Sequence, residues 1–355
     1  MQRVMIHPAN YQDCLTAVRK AFELFPQKIA GRKVLVKPNV LRHGTPEEGI
    51  TTHPAILAAV VQCLQEQNPA EIVVGDNPGL MSYGANEMSF ARTGLLEASR
   101  GHYRNIGLDA VEVDFDPAYL PKVSVSRAVF SADVIVSLPK FKTHGLTVLT
   151  GAVKNSYGIL PGAQKALLHR LAGSPARFHE LVVEVFRLRP PDLFIMDAVV
   201  GMQGNGPAST ELRWIGQVLA ADNAVAMDAC VARMMGVDPA RLGFLQKARA
   251  LGLGEYAKED MEIVGELQAI PDFRLPPLGG EAITGNAQIQ ELMLARTLLR
   301  PAADPARCTA CGTCVDQCPV GALTLVDDLP QVDADKCITC FCCQEMCPEK
   351  AMALK

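Results

Sequence analysis

Short apolar runs alternate with segments of helical period up to about residue 265. The strand-like runs are Val34-Leu35-Val36, Glu71-Ile72-Val73-Val74, Asp133-Val134-Ile135-Val136, Asp192-Leu193-Phe194-Ile195 and Gln217-Val218-Leu219-Ala220. Between them, Ile56, Leu57, Val60, Val61 and Leu64 share one helical face behind the start signals Thr52 and Pro54. Ser174-Pro175 opens a second helix, with Phe178, Leu181, Val182, Val185 and Leu188 spaced for burial. A third is expected to be capped by Asp222 and to stop at Gly236, and a fourth to run from Asp238-Pro239 to near Gly252. Strands alternating with helices predict an α/β fold, a mostly parallel sheet with helices on both faces.

Residues 265–305 break this rhythm with Pro271, Pro276-Pro277, Gly279-Gly280, Gly285, Pro301 and Pro305. One helix is expected inside that stretch, over residues 288–299. The chain therefore divides into an α/β ligand-binding domain (1–267), a semi-rigid linker (268–303) and a small α+β unit (304–355).

That last unit holds eight of the twelve cysteines in two matching runs. They are Cys308-x-x-Cys311-x-x-Cys314-x-x-x-Cys318-Pro319 and Cys337-x-x-Cys340-x-x-Cys343-x-x-x-Cys347-Pro348. Two-residue gaps let a tight loop aim three thiolates at one iron–sulfur cubane, and the longer step carries the fourth sulfur to the other. The spacing assigns Cys308, Cys311, Cys314 and Cys347 to one [4Fe-4S] cluster, and Cys337, Cys340, Cys343 and Cys318 to a second. Structural zinc uses four ligands, usually as two separated pairs. Disulfides require an oxidising compartment. The stretch from Asp304 to Lys355 resembles a two-[4Fe-4S] ferredoxin domain. It departs from that pattern at Phe341, where glycine is more usual, and at Cys342, a ninth cysteine expected not to be a ligand.

At 355 residues, 49% hydrophobic and 20% charged, the composition is that of a globular protein with a sizeable core. The N-terminus lacks the apolar core of a signal peptide, and no run of about 18 apolar residues could span a bilayer. With no export signal and unpaired Cys14, Cys63 and Cys230, the cytoplasm is the expected location. The net charge is −4. From Asp304 onward eight acids face four bases, so the tail carries the whole excess. Clustered cations, which a nucleic acid would need, are missing. An acidic face suits docking to a basic redox partner.

Ligands of open α/β sheets bind beyond the carboxyl ends of the strands. Polar groups stand there in Lys37-Pro38-Asn39, Asp76-Asn77, Lys140-Phe141-Lys142-Thr143-His144, Asp197 and Asp222. If the chain is extended there, period two puts Lys140, Lys142 and His144 on one face. With Lys154-Asn155 nearby, they form a candidate site for a small anion. The alternative is that such polar groups only cap helices or meet solvent. Gly204 and Gly206, in Gly201-Met202-Gln203-Gly204-Asn205-Gly206-Pro207, could bring backbone amides to an anion or simply form a loop. His169 is either a core histidine or a proton donor. No dinucleotide fingerprint, P-loop or Ser-His-Asp triad can be read.

These stretches, with Thr150-Gly151-Ala152-Val153-Lys154-Asn155, Met196-Asp197-Ala198-Val199-Val200 and Asp222-Asn223-Ala224-Val225-Ala226-Met227-Asp228, carry a wider resemblance. From Val34 to about Gly236 the chain is similar to the family catalogued as domain of unknown function 362, often fused to a ferredoxin. The resemblance implies an iron–sulfur protein with an α/β ligand domain, and it supplies no reaction. Three functions are expected in order. The first is a redox enzyme in which two [4Fe-4S] clusters exchange electrons with an anionic ligand. There Lys142, His144 and His169 are catalytic, and Lys37, Asn39, Lys140, Lys154, Asn155, Gly204 and Gly206 bind. The second is a non-catalytic carrier or adaptor for a partner oxidoreductase, and the third a metal or cluster delivery factor.

Overall fold

The computed structural model describes residues 1–79, 84–172, 174–276, 300–337, 340 and 342–354. Eleven strands precede the C-terminal unit among these residues: β1 Gln2–Pro8, β2 Lys33–Pro38, β3 Glu71–Val74, β4 Ala110–Asp114, β5 Lys122–Ser126, β6 Val134–Leu138, β7 Lys140–His144, β8 Val148–Leu149, β9 Leu193–Met202, β10 Leu212–Ala221 and β11 Met261–Val264. The main sheet follows the path β11-β1-β10-β9-β6-β2-β3, with β7 attached to β9 and β8 to β7, and β4–β5 form a separate ladder. All five expected runs fall on strands, with Asp133 and Asp192 standing one residue before β6 and β9.

The sheet is mostly parallel, but β10 is antiparallel to both β9 and β1. Only residues 203–211 separate β9 from β10, too few for a crossover helix, so the second strand must return beside the first. Along β2 the period of two sends Val34 and Val36 to one apolar layer and Leu35 to the other. Helices Cys14–Leu24 and Pro54–Gln65 cover the first layer. Helices Pro175–Leu188 and Ala224–Met234 cover the second. Burial of each Val or Leu in these layers contributes roughly 1.5–3 kcal/mol.

The expected start at Ser174 holds, since its hydroxyl accepts from Arg177 N at 3.3 Å. His53 likewise caps its helix, accepting from Ala55 N. The expected Asp222 cap is corrected. Asn223 accepts from both Val225 N and Ala226 N, because it alone directly precedes the first helical residue. The fourth helix is two pieces, a 3-10 turn Pro239–Arg241 and helix Gly243–Ala250. The expected linker helix over residues 288–299 lies outside the described residues.

The C-terminal unit has two antiparallel ladders. One pairs β12 Pro301–Ala303 with β15 Met352–Leu354, and the other pairs β13 Leu323–Val326 with β14 Leu329–Val332. Short helices Thr313–Asp316 and Cys342–Met346 follow the cysteine turns. Leu323, Ala351 and Met352 pack with Cys314, Cys343 and Cys347. Among the described residues, no helix is long and apolar enough to cross a membrane.

Candidate functional site

Two cavities in the C-terminal unit divide the eight cysteines as their spacing requires. Cys308, Cys311, Cys314 and Cys347 line one of about 330 Å³. Cys318, Cys337, Cys340 and Cys343 line the other, of about 350 Å³. In each, three cysteines come from one run and the fourth crosses from the other. The crossing sulfurs are held alike: Ala322 N donates to Cys318 Sγ at 3.2 Å, and Ala351 N to Cys347 Sγ at 3.3 Å. Backbone donors of this kind favour a thiolate and tune an attached cluster. Four soft sulfur donors around each cavity fit a cubane. Among the described residues no three His, Cys, Asp or Glu side chains converge closely enough for a single ion.

Helix Cys342–Met346 joins this unit to the α/β sheet. Cys343 faces the second cysteine cavity. Cys342, Glu345 and Met346 face the other way and wall a third cavity. The helix is fixed by Gln344 Nε2 donating to Asn205 O at 3.1 Å and by Met346 packing near Leu41 and Ala85. Beyond it, Lys350 Nζ donates to Ser209 O at 3.4 Å. Phe341 lies outside the described residues.

The third cavity gathers Asn39, Lys142, His144, Lys154, Asn155 and His169 from the expected site, together with Asp76 and Asn77. β7 is a strand, as period two required, and it delivers Lys142 and His144. A register shift between Lys140 and Lys142 breaks the period there. Lys140 consequently does not line the cavity; its Nζ lies 2.7 Å from Asp197 Oδ2, both groups being buried. Lys37 is also withdrawn, paired with Asp76 at 2.7 Å. Of the glycine loop only Pro207 reaches the cavity wall. Gly204 N donates to Arg274 O, and Gly206 N to Gly204 O, so neither amide is offered to an anion. Gly206 serves close approach instead: a Cβ there would lie 2.2 Å from Thr143 O.

His144 Nδ1 accepts from Leu146 N at 3.1 Å, which places the ring hydrogen on Nε2. That Nε2 lies 3.2 Å from Glu345 Oε1, yet neither atom completes a hydrogen bond within the described residues. His169 Nδ1 is 4.0 Å from Cys342 Sγ, and its Nε2 is buried without a partner. A hydrogen bond from Cys342 holds the Cys340 thiol below its ordinary range, so Cys342 stands between cluster ligand and cavity.

Burial pushes His144 down to about 4 and His169 to about 3, leaving both neutral at pH 7. Lys142 is driven well below its ordinary value by burial and by Lys154 beside it. Lys165 is pushed down to about 7, chiefly by burial. Burial alone would raise Glu345, but His144, Lys154 and His169 outweigh it and hold the carboxyl at about 2. The cavity is therefore a desolvated space lined by lysines, neutral imidazoles and two carboxylates, Asp76, which is paired with Lys37, and Glu345.

Lys165, Tyr157 and Glu345 line it without having been singled out in the sequence. Lys165 and His169 stand four apart on helix Gly162–Ala172, and Cys342 and Glu345 three apart on theirs, so helical spacing was the available signal. Lys165 Nζ donates to the carbonyls of Asn77 and Pro78.

Fold and cysteine geometry together define an iron–sulfur protein, an α/β sheet joined to a ferredoxin-type unit. The chain belongs to the family described as domain of unknown function DUF362, whose profile matches residues 34–233. Residues 300–348 match a 4Fe-4S dicluster domain. Over 261 residues it is 31% identical to the thylakoid-associated protein sll1697 of Synechocystis sp., covering 69% of this chain and 78% of that one. Among solved structures it is similar to a Thermotoga maritima protein (15% identity, TM-score 0.38, 59% of this chain and 55% of that one). It is also similar to the lactate racemase apoprotein of Thermoanaerobacterium thermosaccharolyticum (11% identity, TM-score 0.42, 66% and 57%). The chain spans little more than half of either, and at those scores the likeness carries no functional weight.

Proposed function

We propose that the protein is an iron–sulfur oxidoreductase in which two [4Fe-4S] clusters pass electrons to or from a small anionic substrate in the third cavity. The observation that carries this is the position of helix Cys342–Met346, with Cys343 on one side, lining a cysteine cavity, and Cys342, Glu345 and Met346 on the other, lining the third cavity. When bound, the clusters supply one-electron chemistry in pairs. The chain's own residues do the rest. Lys142 and Lys154 offset negative charge that builds up on the substrate, an effect strengthened by exclusion of water. His144 presents Nε2–H to the cavity, where it can hydrogen-bond an oxygen that gains negative charge, and Glu345 at 3.2 Å favours the protonated ring when a proton is taken up.

The cluster held by Cys318, Cys337, Cys340 and Cys343 adjoins the substrate. The one held by Cys308, Cys311, Cys314 and Cys347 is the port for a partner protein, because Cys311 is exposed there. The exposed tip of the β13–β14 hairpin carries Leu325, Val326, Asp327 and Asp328. Apolar and acidic groups together suit a partner with a basic rim. The carrier reading needs the same port but leaves the buried cationic cavity without a purpose. No observation favours cluster delivery.

The test is to purify the protein anaerobically, reduce it, and follow reoxidation on adding anionic metabolites. A Lys142→Ala/His144→Ala protein is expected to slow reoxidation by at least ~100-fold, since two groups that favour the charged transition state are lost. Unchanged turnover in that double variant, with iron content intact, would remove this site from the mechanism.

A further inference from the structure

The lysines of this region differ in what holds them. Lys37 and Lys140 are paired with carboxylates. Lys142 Nζ donates to Ile50 O, and Lys165 Nζ to two backbone carbonyls. Lys154 lines the cavity, and its ammonium makes no hydrogen bond or ion pair with the described residues. Its neighbours are rings, with Nζ 5.3 Å from the Tyr157 centroid and 5.8 Å from that of Phe178. In the same cavity the Nε2 of His169, nine-tenths buried, is without a partner among the described residues, and that of His144 faces Glu345 Oε1 at 3.2 Å. An amine set against aromatic rings, without a hydrogen bond or ion pair and sharing its cavity with neutral imidazoles, is the setting of a nucleophilic lysine rather than of a structural one.

We propose that Lys154 captures a 2-oxo acid by forming a Schiff base with its ketone carbon. This rests on the reading that the cavity takes an anion, and it names the class. The acid's carboxylate meets Lys142, which has donors to spare beyond Ile50, and its ketone meets the amine. The free amine adds to the carbonyl carbon, forming the C–N bond as the C=O π pair moves to oxygen. Two protons then pass from nitrogen to that oxygen, through His144 Nε2, and water leaves. Amine and ketone give imine and water, with no electrons gained or lost. Burial and the adjacent Lys37 lower the Lys154 pKa against the pull of Glu345, which raises the fraction present as free amine.

The experiment incubates the full-length, cluster-loaded protein with pyruvate or 2-oxoglutarate and sodium cyanoborohydride under argon. Peptide mass mapping locates the reduced adduct, and calorimetry without the reductant measures binding. The expected result is an adduct on Lys154, with total labelling at least ~10-fold lower in Lys154→Arg, which keeps the charge but not the nucleophile. An absent adduct, or equal labelling of Lys154→Arg, overturns the proposal. If the acids still bind in that case, Lys154 is only an ionic anchor and the anion cavity stands; if they do not bind, the anion reading falls with it.

Discussion

Serine at Cys343 is expected to remove one cluster and leave the other, with iron and acid-labile sulfide falling by about half. Cys343 is buried and lines the second cysteine cavity with Cys318, Cys337 and Cys340. A serine hydroxyl is a hard oxygen donor and a poor substitute for a soft thiolate on iron. The adjacent Cys342 is no replacement, because successive residues of a helix point about 100° apart and its sulfur is turned to His169. Cys342→Ser is therefore expected to keep full iron and sulfide. Iron analysis with electron paramagnetic resonance of the reduced proteins separates the two variants. If Cys342→Ser loses as much iron as Cys343→Ser, the ninth cysteine is a ligand and the division of sulfurs is wrong.

Alanine at Asp197 is expected to cost about 3–5 kcal/mol of stability, the range for orphaning one member of a buried ion pair. Asp197 is fully buried, and Lys140 is 1% exposed. Besides Lys140, the carboxylate accepts from His53 N at 2.9 Å, Val199 N at 3.3 Å and Tyr11 OH at 3.1 Å, so one deletion strands an ammonium, two backbone donors and a phenol. It also unties Tyr11, in the loop between β1 and helix Cys14–Leu24, from β9, where Tyr11 OH accepts from Val200 N. Restoring neutrality with Asp197→Ala/Lys140→Met is expected to recover much of the loss, because the stranded charge is gone. Urea unfolding under argon measures both. A loss below about 1 kcal/mol in the single variant would mean that water reaches the pair.

What the sequence disclosed follows from how local each signal is. Continuous apolar runs located β2, β3, β6, β9 and β10, since strands packed on both faces must be apolar throughout. Two-residue gaps located the cluster cysteines, because the geometry of a cubane is built into the spacing. β1 and β11 escaped notice: Gln2–Pro8 mixes polar with apolar residues, and Met261–Val264 is short. The direction of β10 depended on the length of the β9–β10 connection, which no single strand reveals.

The candidate site was half legible. Lys142, His144 and Asn39 were named from strand ends and Lys154 and Asn155 from their nearness in sequence, and they do share a cavity. Lys140 was misgrouped because a register shift is a property of the pairing with β9, invisible along one strand. Gly204 and Gly206 looked like an anion cradle, but their amides are taken by backbone carbonyls, the distant Arg274 O and the local Gly204 O. Glu345 and Cys342 enter the cavity only because the two parts of the chain dock, and that contact has no local signature. Lys165 was a helical neighbour of His169 whose role depended on the loop at Asn77 and Pro78.

The central claim is that iron–sulfur clusters stand against a cation-lined cavity. Iron anomalous scattering from an anaerobically grown crystal tests it most directly. Two iron peaks are predicted, one among Cys308, Cys311, Cys314 and Cys347, the other among Cys318, Cys337, Cys340 and Cys343 and adjoining the space lined by Lys142, His144 and Lys154. A zinc signal in place of iron, or a second iron site separated from that space by solvent, would contradict it.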